Sequence, residues 1–347
     1  MRVDPLPVRR AGAVVTVLAG LALTFAPASA RQDVAPAALA GAAEAAAKLP
    51  RLHSLLVSHR GTLVLERYYN GTRPSRPANV KSVSKSVISA LVGIAVDRGH
   101  ITSLEQPIAD FLPEMADAGA GKRAIRIVDL LTMQSGLEST SGRNYGSWVQ
   151  SRNWVRDAVR RPLLSPPGTE MDYSTGSSHL LSAILTRATK QSTWQFAQEA
   201  LARPLGFSLA RWPQDPQGIY FGGNDMLMTP RQMVAFGELY LGRGRVGDTR
   251  VVPGSYVDAS FVPRGQSRWG SDRYYGYGWW IRDLAGHPTF YAWGYGGQFI
   301  FVVPTLDLVV TTTSVSTPSP DRQGHNRSIY RLVEDEIVKD IRNLVIS

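Results

Sequence analysis

The chain has 347 residues, enough for one large domain or two ordinary ones, and 44% of them are apolar, which suits a globular protein with a real core. It has no cysteine, which excludes a disulfide framework, thiolate chemistry and Cys-ligated zinc. The formal net charge is +10, but the basic residues, nearly all Arg, are scattered rather than gathered in a run with interleaved aromatics, so nucleic acid is not an expected partner.

Residues 1–30 read as a signal peptide. Arg2, Arg9 and Arg10 form a basic start, AGAVVTVLAGLALTF (11–25) an apolar stretch, and Ala28-Ser29-Ala30 a small-x-small cleavage site. The expectation is export to the periplasm or medium, with a mature chain from Arg31 and no stable membrane anchor. An uncleaved anchor is the alternative, and the Ala-Ser-Ala site argues against it. The Ala-Gly-Ala after Arg9-Arg10 fits a twin-arginine signal poorly and favours the general route.

Residues 31–48 suggest a short lead-in helix. LHSLLVSHRGTLVLERYYNG (52–71) reads as a hairpin about His59-Arg60-Gly61. A loop, GTRPSRPAN (71–79), delivers the chain to KSVSKSVISALVGIAVDRG (81–99), which from Val87 to Val96 is apolar nearly all round. That pattern marks a buried helix, too short to span a membrane. IRIVDLLTMQSGL (125–137) reads as a helix stopped by Gly136. Residues 138–152, with Tyr145 and Trp148, read as a lid or rim loop, and 153–163 as helical. Residues 165–189 read as a loop and then a helix from about Ser178. A further helix starts near Pro230. The segments 274–283, 289–297, 298–305 and 306–314 are aromatic and β-branched, hence strands, and 328–345 is a C-terminal amphipathic helix. Strands at both ends and helices between them predict an α+β fold: an antiparallel sheet built from both chain ends, flanked by helices, with a mainly helical part inserted over roughly 101–270.

Ser82 and Lys85 stand three apart, on one face of a helix at its first turn. A serine hydroxyl becomes a nucleophile when a base takes its proton, and a lysine serves as that base only when neutral. Burial and the positive end of a helix dipole both disfavour the ammonium. S-x-x-K is a short pattern open to accidental matches. Of the six lysines, at 48, 81, 85, 122, 190 and 339, only Lys85 follows a serine by three.

Three segments then line up: Ser82-x-x-Lys85, Tyr173-Ser174-Thr175 before a helix, and a glycine-rich strand at 292–297. With DLLTMQSGL (129–137), PGTEMDYSTGSSHLLSAIL (167–185) and GGNDMLMTPRQM (222–233), this order resembles the serine β-lactamase and penicillin-binding-protein superfamily. The resemblance is to its class C-related branch, which includes esterases, D-amino-acid peptidases and 6-aminohexanoate-dimer hydrolases, and it covers about residues 50–345. It implies a class C β-lactamase-like fold and an acyl-enzyme mechanism without metal or cofactor. Ser82 would be the nucleophile, Lys85 its partner and Tyr173 the phenol that relays protons. Thr175 stands where the family's Y-x-N element has Asn. Ala292-Trp293-Gly294 aligns with the K-T-G or H-x-G strand, so the basic residue is missing. The backbone N–H groups of Ser82 and Tyr295 would hold an oxyanion.

Thr175, Trp293, Gly294, Tyr145 and Asn224 are the substrate-binding candidates. Tyr173 reads alternatively as an ordinary half-buried tyrosine, Trp293 and Tyr295 as strand packing, and Asn224 as a turn former. No G-x-S-x-G elbow, H-E-x-x-H pair or nucleotide-binding glycine pattern competes. The expected function is an exported serine hydrolase acting on a small ester or amide. The alternatives are a β-lactamase or D-Ala peptidase, and a non-catalytic envelope-binding relative. Nothing in the sequence sets an oligomeric state.

Overall fold

The computed structural model describes residues 39–346 apart from Trp269 and Ser271, so the signal peptide and its cleavage site lie outside the described residues. Leu52–His59 (β1) and Thr62–Tyr68 (β2) form the first hairpin, turning on Arg60 and Gly61 with φ of 53° and 74°. Two successive positive φ values match the twist of the flanking strands. Short ladders follow: Ala78–Asn79 (β3) pairs with Leu227–Met228 (β4), and Arg245–Val246 (β5) with Thr249–Arg250 (β6). The last quarter supplies Gly265–Gln266 (β7), Tyr274–Tyr275 (β8), Trp280–Leu284 (β9), His287–Gly294 (β10), Gln298–Val303 (β11) and Leu308–Ser314 (β12). The main sheet runs β2-β1-β12-β11-β10-β9-β8-β7, antiparallel throughout. Both chain ends build it, as the strand placement predicts, through pairs such as Val57↔Val310.

Helices cover both faces. In β11, Phe299, Phe301 and Val303 face the layer that holds the Ala40–Ala47 helix and the C-terminal helix. Ile300 and Val302 face the layer that holds the Ser84–Asp97, Thr175–Thr189 and Pro230–Leu241 helices. A strand covered on both sides loses its polar alternation, which is why QFIFVV is apolar almost throughout. The Ser84–Asp97 helix is buried from Ser84 to Ala95. Two of its serines are satisfied by the turn before β9: Ser86 Oγ donates to the Gly278 carbonyl (2.6 Å) and Ser89 Oγ to the Tyr277 carbonyl (2.7 Å).

Several boundaries differ from expectation, each for a physical reason. The helix expected from Ser178 starts at Thr175. Its first N–H groups are met by remote hydroxyls, Thr175 N–H by Ser141 Oγ (2.9 Å) and Gly176 N–H by Thr140 Oγ1 (2.7 Å), so no local cap announces it. The helix expected over 125–137 shrinks to Ile127–Leu131. Arg126 is extended, with its N–H bonded to the Asp129 carboxylate (2.8 Å), and Met133 is left-handed at φ 60°. The expected 289–297 strand ends at Gly294, because Gly296 and Gly297, at φ 88° and 107°, turn the chain into β11. The C-terminal helix begins earlier than expected, at Arg322. Trp148 is no rim residue: it is fully buried against Trp154, His179 and Phe221, and its indole N–H donates to the Trp154 carbonyl (3.0 Å).

Candidate active site

Lys81–Val83 form a tight turn that runs into the Ser84–Asp97 helix, so Ser82 stands just ahead of the α-helix rather than in its first turn. The strand end of β10 docks against this turn. A Cβ on Gly294 would fall 2.1 Å from the Val80 carbonyl oxygen, so only glycine allows that approach. Gly294 is therefore packed against the residue that leads into the nucleophile turn.

Lys85 is 2% exposed. Its Nζ lies 3.0 Å from Ser82 Oγ, 2.5 Å from the Gly223 carbonyl and 3.4 Å from Thr175 Oγ1. Burial pulls the amine down to about 7, and the Asp225 carboxylate opposes that shift. At neutral pH a large fraction of Lys85 is therefore the free base. Ser82, half-buried at the mouth, is the group it faces.

The Tyr173 phenol lies near Ser82, which favours its ionised form slightly, and its ring centroid is 5.0 Å from Lys85 Nζ. Burial raises the phenol well above its ordinary value, so it stays protonated. Its ring stacks on Trp280 (centroids 5.4 Å apart), and the Tyr173 carbonyl accepts from Ser139 Oγ (2.7 Å). Two proton-handling groups thus stand beside the hydroxyl of partly buried Ser82, as nucleophilic catalysis requires. Thr175 is buried behind the amine and bonds Ser141 Oγ (2.9 Å). A pair of hydroxyls takes the place of a carboxamide.

Trp293 is partly buried, tilted against Trp280 and stacked on Phe299, so its ring belongs in part to the core. Tyr295 begins the turn after β10, and Arg322 lies over its ring at 4.1 Å. Because Gly294 touches Val80, the segments that carry the Tyr295 and Ser82 N–H groups meet. Asn224 and Tyr145 come together on the far side: Asn224 Nδ2 donates to the Tyr145 hydroxyl (3.0 Å), and Asn224 Oδ1 is buried without a protein partner. Gly223 and Gly222 bring this loop close. A Cβ on Gly223 would lie 2.6 Å from Thr175 Cγ2, and one on Gly222 would lie 2.2 Å from the Ser178 carbonyl oxygen.

Sequence reasoning missed Ser141, the Gly223 carbonyl, Lys81 and Asp225. The paired glycines at 222–223 were the available signal for one of them, the Gly223 carbonyl, since they mark a close backbone approach. Among the described residues no group of three or more His, Asp or Glu side chains is placed to hold a metal ion, and no helix is long and apolar enough to cross a membrane.

An S-x-x-K pair at the head of a buried helix, between an antiparallel sheet and a helical layer, defines a serine hydrolase of the β-lactamase fold. The family model for Beta-lactamase matches residues 31–334, and the chain belongs to that family. The 6-aminohexanoate-dimer hydrolase of Paenarthrobacter ureafaciens is 25% identical over 294 residues, 76% of this chain and 72% of that protein. Among solved structures, EstCE1, a hydrolase with promiscuous acyltransferase activity, superposes with a TM-score of 0.70 at 17% identity over 90% of this chain and 99% of its own. The octameric penicillin-binding protein homologue from Pyrococcus abyssi superposes at 0.65 with 18% identity over 84% and 74%. The chain is an enzyme of the hydrolase class, as the sequence predicts.

Proposed function

We propose that this chain is an exported hydrolase that cleaves a small, uncharged ester or linear amide through an acyl-enzyme on Ser82. The carrying observation is the buried Lys85 amine, drawn down to about 7, at 3.0 Å from the Ser82 hydroxyl. Ser82 Oγ attacks the carbonyl carbon while its proton passes to Lys85, and Tyr173 relays a proton to the departing alcohol or amine and is reprotonated from Lys85, which returns to its neutral form. Water then attacks the acyl carbon, gives up its proton along the same path, and returns the acid and free Ser82. The oxyanion is held by the N–H groups of Ser82 and Tyr295.

The substrate class follows from charge. Ala292-Trp293-Gly294 supplies no cation, Lys81 is already paired with Asp225 (2.9 Å), and the partly buried Tyr173 and Trp293 add aromatic area beside Ser82 and Lys85. The relative from Paenarthrobacter ureafaciens, a hydrolase of 6-aminohexanoate dimer by name, supports a linear amide. One observation favours a second reading, a β-lactamase or D-Ala peptidase: Arg322 over Tyr295 sets a guanidinium beside the strand end, where a substrate carboxylate would pair with it.

The test has two arms on the mature chain. A fluorophosphonate should add one mass equivalent to the wild type and none to Ser82→Ala, whose stability should differ by less than about 1 kcal/mol. Full labelling of the variant overturns the assignment of the nucleophile. A nitrophenyl ester should exceed a chromogenic cephalosporin in kcat/KM by roughly ten- to a hundredfold, the worth of a missing charge-assisted contact. Equal or reversed values select the second reading.

A further inference from the structure

The turn that carries Ser82 and the loop that holds Lys85 are tied together by charges the steps above do not use. Lys81 directly precedes Ser82, and Asp225 lies two residues after Gly223. Lys81 Nζ lies 2.9 Å from Asp225 Oδ1, Asn79 Nδ2 donates to the same oxygen at 2.9 Å, and Asn79 Oδ1 accepts the Lys81 N–H at 3.0 Å. Lys81 and Asp225 are both left-handed, with φ of 52° and 64°, a conformation uncommon outside glycine. Two such residues facing each other need something to hold them, and the ion pair supplies it. The pair is partly desolvated, its side chains 23% and 22% exposed, unlike the open Arg243–Asp258 pair at 69% and 49%. The lacing continues through β3 and β4, through Val80 N–H to the Met226 carbonyl (2.9 Å), and through Met226 N–H to Ser84 Oγ (3.1 Å).

We propose that the Lys81–Asp225 pair positions and tunes Lys85: it holds the Gly223 carbonyl on the amine and sets the balance of charge the amine feels. The inference rests on Lys85 acting as the base for Ser82. The groups facing the amine come from four segments. Its own turn and helix give Ser82 and, through Asp225, Lys81; the 222–228 loop gives the Gly223 carbonyl and Asp225. The Thr175–Thr189 helix gives Thr175, and the segment before it gives the Tyr173 phenol, neutral through burial. Asp225 is the carboxylate in this set, and it favours the ammonium against the desolvation that disfavours it. The same carboxylate adds a smaller upward push on the Tyr145 phenol, which burial raises most. The Lys81 ammonium moderates that field.

The two partners should therefore shift Lys85 in opposite directions. Asp225→Asn removes the anion and leaves the Lys81 cation, so the Lys85 inflection falls. Lys81→Met removes the cation and leaves the anion unopposed, so the inflection rises. Each shift should be at least about half a pH unit, the double variant should lie between the singles, and Lys81→Arg should stay at the wild-type position. Two readouts separate this from the reading it rests on: kcat/KM against pH on a neutral ester, and NMR titration of lysine 13Cε in the full chain. Shifts in the same direction for both variants, or no shift in the NMR titration, overturn the tuning. Opposite NMR shifts that kcat/KM ignores uphold the tuning and remove Lys85 from the role of base. Should Asp225→Asn fail to fold, the contrast between Lys81→Met and Lys81→Arg decides alone, and equal inflections for the two overturn the proposal.

Discussion

The Nζ of Lys85 lies 3.0 Å from the Oγ of Ser82 across a single helical turn, and Lys85 is almost wholly buried where Ser82 is only partly so. The base is kept from water while the nucleophile is offered to substrate. Burial lowers the proton affinity of the amine and leaves that of the serine to be adjusted by contact.

That difference fixes a pH dependence. Lys85 titrates near 7, and only its neutral form accepts the Ser82 proton. Below about 7, kcat/KM on a neutral ester should fall about tenfold per pH unit, and above it should level off. Stopped-assay profiles from pH 5 to 9 check this, and a profile flat through pH 6 contradicts it.

The same amine makes a stability prediction with a definite sign. Its folded value, about 7, lies below the 10.5 of an unhindered lysine, so between those values the unfolded chain binds more protons. Folding stability should therefore rise with pH across that window. Relative to Lys85→Met, which lacks the group, the wild type should gain on the order of 2 kcal/mol between pH 7 and pH 9. Urea melts of both proteins at the two pH values measure it, and parallel behaviour would contradict the buried-amine account.

Tyr173→Phe keeps the stack on Trp280 and removes the hydroxyl that meets Ser82. The fold should survive with little change in melting temperature, while kcat falls by about two to four orders of magnitude. Combined with Lys85→Ala, the loss should be much less than the product of the single losses, because both groups serve one proton path. Full activity in the single variant would dismiss the relay.

Secreted protein should begin at Arg31. The basic start, the apolar stretch and Ala28-Ser29-Ala30 motivate this expectation. N-terminal sequencing of exported material decides it, and an intact Met1 would overturn the cleavage.

The parts of the fold legible in the sequence are those set by neighbours along the chain. The β1–β2 hairpin, the buried Ser84–Asp97 helix and the β11–β12 pair follow from periodicity and turn residues. That both chain ends build one sheet was readable because strand-like segments occur at both ends and helices between them, while the direct pairing of β1 with β12 was not. What escaped was set by distant partners. Thr175 starts a helix because Ser141 and Thr140 meet its N–H groups from 34 and 36 residues away. Trp148 reads as a rim aromatic until Trp154, His179 and Phe221 close around it. In the site, Ser82, Lys85 and Tyr173 carried a pattern. Asp225 and Ser141 did not, because a single acid or hydroxyl in a loop acquires meaning only when the fold brings its partner within reach.

Ala292 adds a constraint on what this cleft can become. It is 1% exposed and packs in the core layer that holds Val80, Val83 and Val87, while Gly294, two positions on, has no room for a β-carbon. A lysine installed at 292 would place its stem in the buried core, and the ammonium would have to find a way out. Directed evolution toward anionic substrates is thus blocked at its most obvious first step. A library that begins around Arg322 leaves this packing alone, whereas one that begins at 292 or 294 should mostly return unfolded clones.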